Sequence, residues 1–297
     1  MREHTPSKTA AWVAVARGMA DRLPIEAQLA LDPYGAEFEE GMRMRLQHAL
    51  ERIGVPLEKF PGVTRWILYM QVRTRVIDDA LRAFVARGGR QLVVLGAGYD
   101  CRVLRLPELA GVRVLEVDHP ATQGHKRAVL ERLHAVSPAT YVVWNFEERP
   151  MADLPAALAA AGLDLEAPTF TIWEGVTMYL TEPAIDSSLR AIRAWSAPGA
   201  QLAMTYVSRR KSRRPSITTA AIKAVVARIG EPWRWSWDPA ELPAYLAQRG
   251  FALERDVTMA DAGRELLPAK FAAQVVDPER RIALAGSGES VAIAGSA

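Results

Sequence analysis

Between residues 92 and 207 the chain alternates two hydrophobic patterns. Short unbroken apolar runs occur at LVVLG (92–96), VRVLEVD (112–118), YVVWNF (141–146), TFTIWEG (169–175) and Ala200 to Val207. Between them lie stretches at about 121–133, 151–161 and 182–195 that read as helices. An unbroken apolar run suits a strand buried on both faces, so the alternation predicts a doubly wound, mostly parallel α/β sheet. Ahead of it, Thr9 to Arg22 has a helical apolar pattern, and a second helix follows the Asp32-Pro33-Tyr34-Gly35 turn. A long helix from Thr64 to Arg87 is ended by Gly88-Gly89. Behind it, FALERDV (251–257) and SVAIAGSA (290–297) are expected to complete a seven-stranded sheet as an antiparallel edge pair. The expected organisation is a helical cap over 1–63 and a core over 64–297, with a lid insertion at about 208–240. There Trp233, Trp235 and Trp237 alternate, which fits either a segment pinned to the core or an aromatic wall over a substrate.

Composition narrows the class. At 297 residues, with 49% apolar and 24% charged residues, the chain can bury a core without disulfide or metal staples. Its single cysteine, Cys101, allows no intrachain disulfide and fits a reducing cytoplasm. No run approaches the roughly 18 apolar residues of a membrane span. The N-terminal apolar patch is broken by Arg17 and lacks a signal-cleavage pattern, so a cytoplasmic protein without a membrane partner is expected. Net charge is only +3, and the basic run Arg209 to Arg214 has no interleaved aromatic residues, so it reads as a solvated loop. Neither a nucleic-acid partner nor a metal is expected, and oligomeric state is open.

The candidate chemistry begins at Gly96-Ala97-Gly98, which follows the first predicted strand. Ligands of open α/β sheets sit beyond the carboxyl ends of strands, and glycine lets the backbone approach them closely. A dinucleotide turn needs a third glycine, but Cys101 occupies that place and Asp100 adds a negative charge where a pyrophosphate would lie. Asp118, 22 residues after Gly96, suits ribose hydroxyls, or alternatively an N-cap before Pro120. The turn and the acid together point to a nucleoside without a pyrophosphate, of which S-adenosylmethionine is the commonest. An NAD-dependent oxidoreductase and a cofactor-binding module without turnover are the alternatives.

The blocks "SKTAAWVA", "DPYGAEF", "RTRVIDDAL", "VVLGAGYDCRVLRL", "EVDHPATQGHKRAVL" and "WEGVTMYL" occur in order over roughly residues 5 to 260. In this the chain resembles leucine carboxyl methyltransferase-like proteins, which include bacterial O-methyltransferases of polyketide and other secondary metabolism. The resemblance implies a Rossmann-like class I methyltransferase fold that binds S-adenosyl-L-methionine. It carries Arg73 over as the arginine that meets the cofactor's methionine carboxylate, and Lys8 as a basic residue reaching the same end. Gly96 and Gly98 become the turn under the cofactor, Asp118 the ribose acid, and Glu174 the acid near the methionine part. Tyr179 becomes the catalytic-site tyrosine beside the transferred methyl. Asp78 and Asp79 lie five and six residues beyond Arg73, so neither has the spacing of a helix-surface ion pair.

Two positions depart from the family. Asn145, followed by Phe146, stands where relatives have an aspartate facing adenine, and its carbonyl oxygen can still accept that bond. Both are expected to bind cofactor. Glu147 replaces a basic residue that grips a substrate's terminal carboxylate, which makes a C-terminal leucine peptide a poor fit. The expected activity is O-methylation of a carboxyl or hydroxyl group of a small metabolite. A carboxylate needs no base, a phenol benefits from one, and none is assigned among His4, His48, His119, His125 and His134.

Overall fold

The structure is a computed structural model that describes residues 7–39, 61–209 and 234–287. Its strands are β1 (Gln91–Leu95), β2 (Arg113–Asp118), β3 (Thr140–Val143), β4 (Thr169–Trp173), β5 (Gln201–Val207), β6 (Phe251–Thr258) and β7 (Arg280–Ser287). They form one sheet in the order β3-β2-β1-β4-β5-β7-β6. The first five pair in parallel, and β7 runs antiparallel to both β5 and β6.

Layering explains the unbroken apolar runs. Successive strand side chains point to opposite faces. In β1, Leu92 and Val94 join the cluster under the long Pro61–Ala86 helix, with Ile67, Val72 and Val76. Val93 and Leu95 join the opposite cluster, with Leu158 and with Ile185 and Leu189 of the Glu182–Ala194 helix. With a helix on each face, every position of the strand is buried.

Several expectations shift. The strand closing the sheet is Arg280–Ser287, whereas 290–297 lies outside the described residues. Its opening arginines hide it from an apolar search. Arg281 is accommodated because its Nε lies 2.9 Å from Asp256 Oδ1 on β6. The helix expected over Thr9 to Arg22 is Lys8–Gly18 followed by a 3-10 turn at Ala20–Arg22. After the Asp32 turn, Gly35–Glu39 is 3-10, and the rest of that predicted helix is outside the described residues. The Leu242–Ala247 and Met259–Leu266 helices carried no expectation. Within the predicted lid, 210–233 is outside the described residues, including Trp233 and most of the basic run. Trp237 packs edge-on with Tyr206 and Tyr245, and Trp235 packs edge-on with Trp237, so these two pin the chain to the core. No helix among the described residues is long and apolar enough to cross a membrane.

Candidate active site

A cleft of about 450 Å³ opens at the carboxyl ends of β1, β2 and β4. Its floor is the glycine turn. The backbone N–H groups of Gly96 and Ala97 both donate to Val117 O, at 2.9 and 3.1 Å, tying the turn to the end of β2. Gly96 and Gly98 have φ of +69° and +53°, a region that strains other residues. A Cβ on Gly96 would stand 2.9 Å from Val176 Cγ2, and one on Gly98 would stand 3.1 Å from Ala10 Cβ. The turn is thus free of side chains where the backbone faces the cleft.

Asp118 stands at the end of β2, against this turn. Its Oδ2 accepts from Gly98 N at 2.5 Å and its Oδ1 from His119 N at 2.6 Å. Burial raises its pKa, opposed by those two backbone donors. The capping role considered for Asp118 belongs to His119, whose Nδ1 accepts from Ala121 N at 3.2 Å. Asp118 therefore lines the cleft as an acceptor.

The expected repulsion of a pyrophosphate by Asp100 does not hold as stated. The Asp100 carboxylate is paired with the Arg102 guanidinium and also accepts from Arg102 N at 2.7 Å. Burial alone would raise its pKa, but Arg102, Arg17 and Lys126 hold it well below the usual carboxylate range. What does disfavour a pyrophosphate is the helix after the turn, which is the single turn Arg102–Arg105. So short a helix supplies neither the aligned dipoles nor the row of free N–H groups on which a pyrophosphate rests.

One wall of the cleft is ionic. Arg73, from the long helix, places Nε 2.6 Å from Glu174 Oε1, just beyond β4. Arg102 Nη2 is 3.0 Å from Glu174 Oε2, and Arg102 Nε is 2.7 Å from Asp78 Oδ1. Burial pushes the Glu174 pKa up, but Arg73, Arg102 and Arg17 pull it down to about 2. The close approach of Arg73 to Glu174 is not aligned as a hydrogen bond, so among the described residues Arg73 Nε and Glu174 Oε1 are both buried without an aligned partner. Such atoms are costly unless a ligand or water completes them.

The other carried-over residues divide. Phe146 is 40% exposed and lines the cleft, and Tyr179 lines it from the 3-10 turn Thr177–Tyr179. Asn145 does not line it. Its Oδ1 accepts from Glu147 N at 3.1 Å, so the oxygen expected to face adenine is turned onto the chain's own backbone. Lys8 is exposed and also outside the lining. The reason is helical geometry: nine residues from Arg17 at about 100° per residue is half a turn round the helix, and Arg17 faces the cleft.

Sequence reading missed two of the charged lining residues, Arg17 and Arg234. Arg17 follows Ala10 and Val13 on one helical face, a spacing that could have revealed it. Arg234 carried no such signal. It reaches the lining because its backbone N donates to Met178 O at 2.7 Å.

The strand order, the antiparallel β7 and a nucleoside-sized cleft at the carboxyl ends of the strands define a Rossmann-like class I methyltransferase fold. The family profile described as Leucine carboxyl methyltransferase matches residues 10–193, and the chain belongs to this family. A provisionally named S-adenosyl-L-methionine-dependent methyltransferase of Frankia alni is 33% identical over 259 residues, covering 82% of this chain and 81% of the relative. A second Frankia alni relative with the same description is 39% identical over 148 residues, covering 49% of this chain and 51% of its own, so that match spans about half the length of the relative. Among solved structures, a DUF574 family protein from Streptomyces avermitilis superposes with a TM-score of 0.56 at 19% identity. That match covers 79% of this chain and 92% of the other, and at such identity it speaks for the fold alone.

Proposed function

We propose that this protein is an S-adenosyl-L-methionine-dependent O-methyltransferase acting on a carboxyl or hydroxyl group of a small metabolite, within secondary metabolism. The observation that carries the reading is the set of ligand-suited groups around one cleft. A side-chain-free glycine turn, the acceptor Asp118 and the incompletely bonded Arg73–Glu174 pair all face the same space. These residues fit the cofactor. Arg73 would hold its carboxylate and Glu174 its ammonium group, Asp118 the ribose hydroxyls and Phe146 the adenine side. Bound there, the cofactor supplies an electrophilic methyl group.

The chain's own contribution is alignment and exclusion of water, since methyl transfer is an in-line displacement. Tyr179 flanks the mouth where an acceptor would meet the methyl. His119 accepts at Nδ1, which puts the proton of the neutral ring on Nε2 and leaves no free lone pair to serve as a base. A carboxylate acceptor, already ionised, would need no base. Glu147 on the lining disfavours a peptide held by its terminal carboxylate. The single-turn helix Arg102–Arg105 weighs against an NAD-dependent oxidoreductase.

The test is methyl transfer from labelled cofactor to a panel of small carboxylic acids and phenols. Mild base releases methanol from a methyl ester and leaves a methyl ether intact, so the product identifies the acceptor atom. Cofactor binding without label transfer across the panel would contradict the enzymatic reading.

A further inference from the structure

Arg17 stands on the cleft wall with no role so far. It is buried at 6% exposure near the end of the Lys8–Gly18 helix. Its Nε donates to Asp32 Oδ2 at 3.0 Å and its Nη2 to Tyr99 O, next to the glycine turn, at 2.6 Å. Those two bonds use two of the five N–H donors of a guanidinium. Asp32 is itself committed to its own turn, where Oδ1 accepts from Tyr34 N and Gly35 N at 3.2 and 3.1 Å. Burial lowers the Arg17 pKa, but Asp32, Asp100 and Glu174 outweigh it, and Asp100 and Glu174 line the same cleft as Arg17.

The wall then carries two guanidiniums, Arg17 and Arg73, and two carboxylates, Asp100 and Glu174. Arg102, behind them, binds both acids. An alternation of fixed positive and negative groups matches a zwitterion, which is what the amino-acid end of the proposed cofactor is. Arg73 directs its Nε at Glu174, which leaves part of an incoming carboxylate's charge for another donor.

Resting on the methyltransferase reading, we infer that Arg17 is a second binding arginine for the carboxylate at the amino-acid end of the cofactor. The N-terminal helix thereby becomes part of the cofactor site through Arg17. This is the role that sequence resemblance gives to Lys8.

The test compares two ligands. S-adenosylhomocysteine keeps the amino-acid end, whereas 5′-methylthioadenosine keeps the adenosine and thioether and lacks it. Each is titrated into the wild type, Arg17→Lys and the double variant Arg17→Gln/Asp32→Asn, in which no buried carboxylate is left unpaired. The double variant is expected to bind S-adenosylhomocysteine about tenfold or more weakly, as for one lost charge-assisted hydrogen bond, while 5′-methylthioadenosine stays within about twofold. Arg17→Lys, which keeps the charge without the fork, should fall between. Equal losses for both ligands would mean that Arg17 only braces the turn, and no loss for either would mean that it does not meet the ligand; both overturn the inference. A wild type that binds neither ligand overturns the methyltransferase reading along with it.

Discussion

Two clusters in this molecule each pair arginine with a carboxylate and differ in what they leave unfinished. At the antiparallel edge, Tyr206 OH donates to Asp256 Oδ2 at 2.8 Å, and Arg281 Nε lies 2.9 and 3.1 Å from the two Asp256 oxygens. That cluster closes on itself and joins β5, β6 and β7. At the carboxyl ends of β1 and β4, the cluster of Arg73, Glu174, Arg102 and Arg17 is more deeply charged, yet among the described residues Arg73 Nε and Glu174 Oε1 have no aligned partners beside a cleft. The closed cluster is a structural brace. The open one has the character of a binding site, because buried ionic groups are held ready at the cost of incomplete bonding.

Substitutions should separate the two. Arg73→Ala, which removes a forked donor from the open cluster, should weaken S-adenosylhomocysteine binding about 100-fold by calorimetric titration. Retained affinity would put the open cluster in the same class as the brace. Gly98→Ala places a side chain at positive φ and against Ala10, and should cost about 1–2 kcal/mol in turn geometry, seen as roughly tenfold weaker binding.

The open cluster should also respond to acid in a defined direction. Glu174 is held at about 2, below its ordinary 4.5, so its contribution to stability is full above about pH 4.5 and is lost as pH falls toward about 2. Asp118 and Glu116 are raised by burial and act with the opposite sign, their contribution fading as pH rises. Comparison with Glu174→Gln isolates the first effect. The gap in urea midpoint between wild type and variant should narrow between about pH 7 and about pH 3, and a constant gap would deny the depressed pKa.

In the closed cluster, Tyr206→Phe should cost about 1 kcal/mol of unfolding stability in denaturant while leaving ligand affinity unchanged. Lys8→Ala should change neither quantity, since Lys8 is exposed and half a turn round the helix from Arg17. A binding loss there would return Lys8 to the site.

The parallel half of the sheet was readable because burial on both faces forces unbroken apolar runs, as LVVLG shows. The antiparallel edge was not. β7 opens with two charged arginines; the partner of Arg281, Asp256, lies 25 residues back on β6, so no local apolar pattern marks the strand. The site divides in the same way. Gly96, Gly98 and Asp118 follow from strand–turn logic, since their positions are fixed by the ends of β1 and β2. Arg17 read as a charge interrupting an apolar patch, because only the packing of its helix over the turn shows which way it faces. The orientation of Asn145 was not legible for a related reason: whether its carbonyl faces a ligand or the backbone N–H of Glu147 depends on the path of the chain after β3, which the residue type does not specify.

On the proposed function, the glycine turn holds a methyl donor and not a dinucleotide. Isothermal titration of the wild-type protein with S-adenosylhomocysteine, and separately with NAD, tests it most directly. Micromolar binding of S-adenosylhomocysteine and none of NAD is expected; binding of NAD alone would overturn the proposed function.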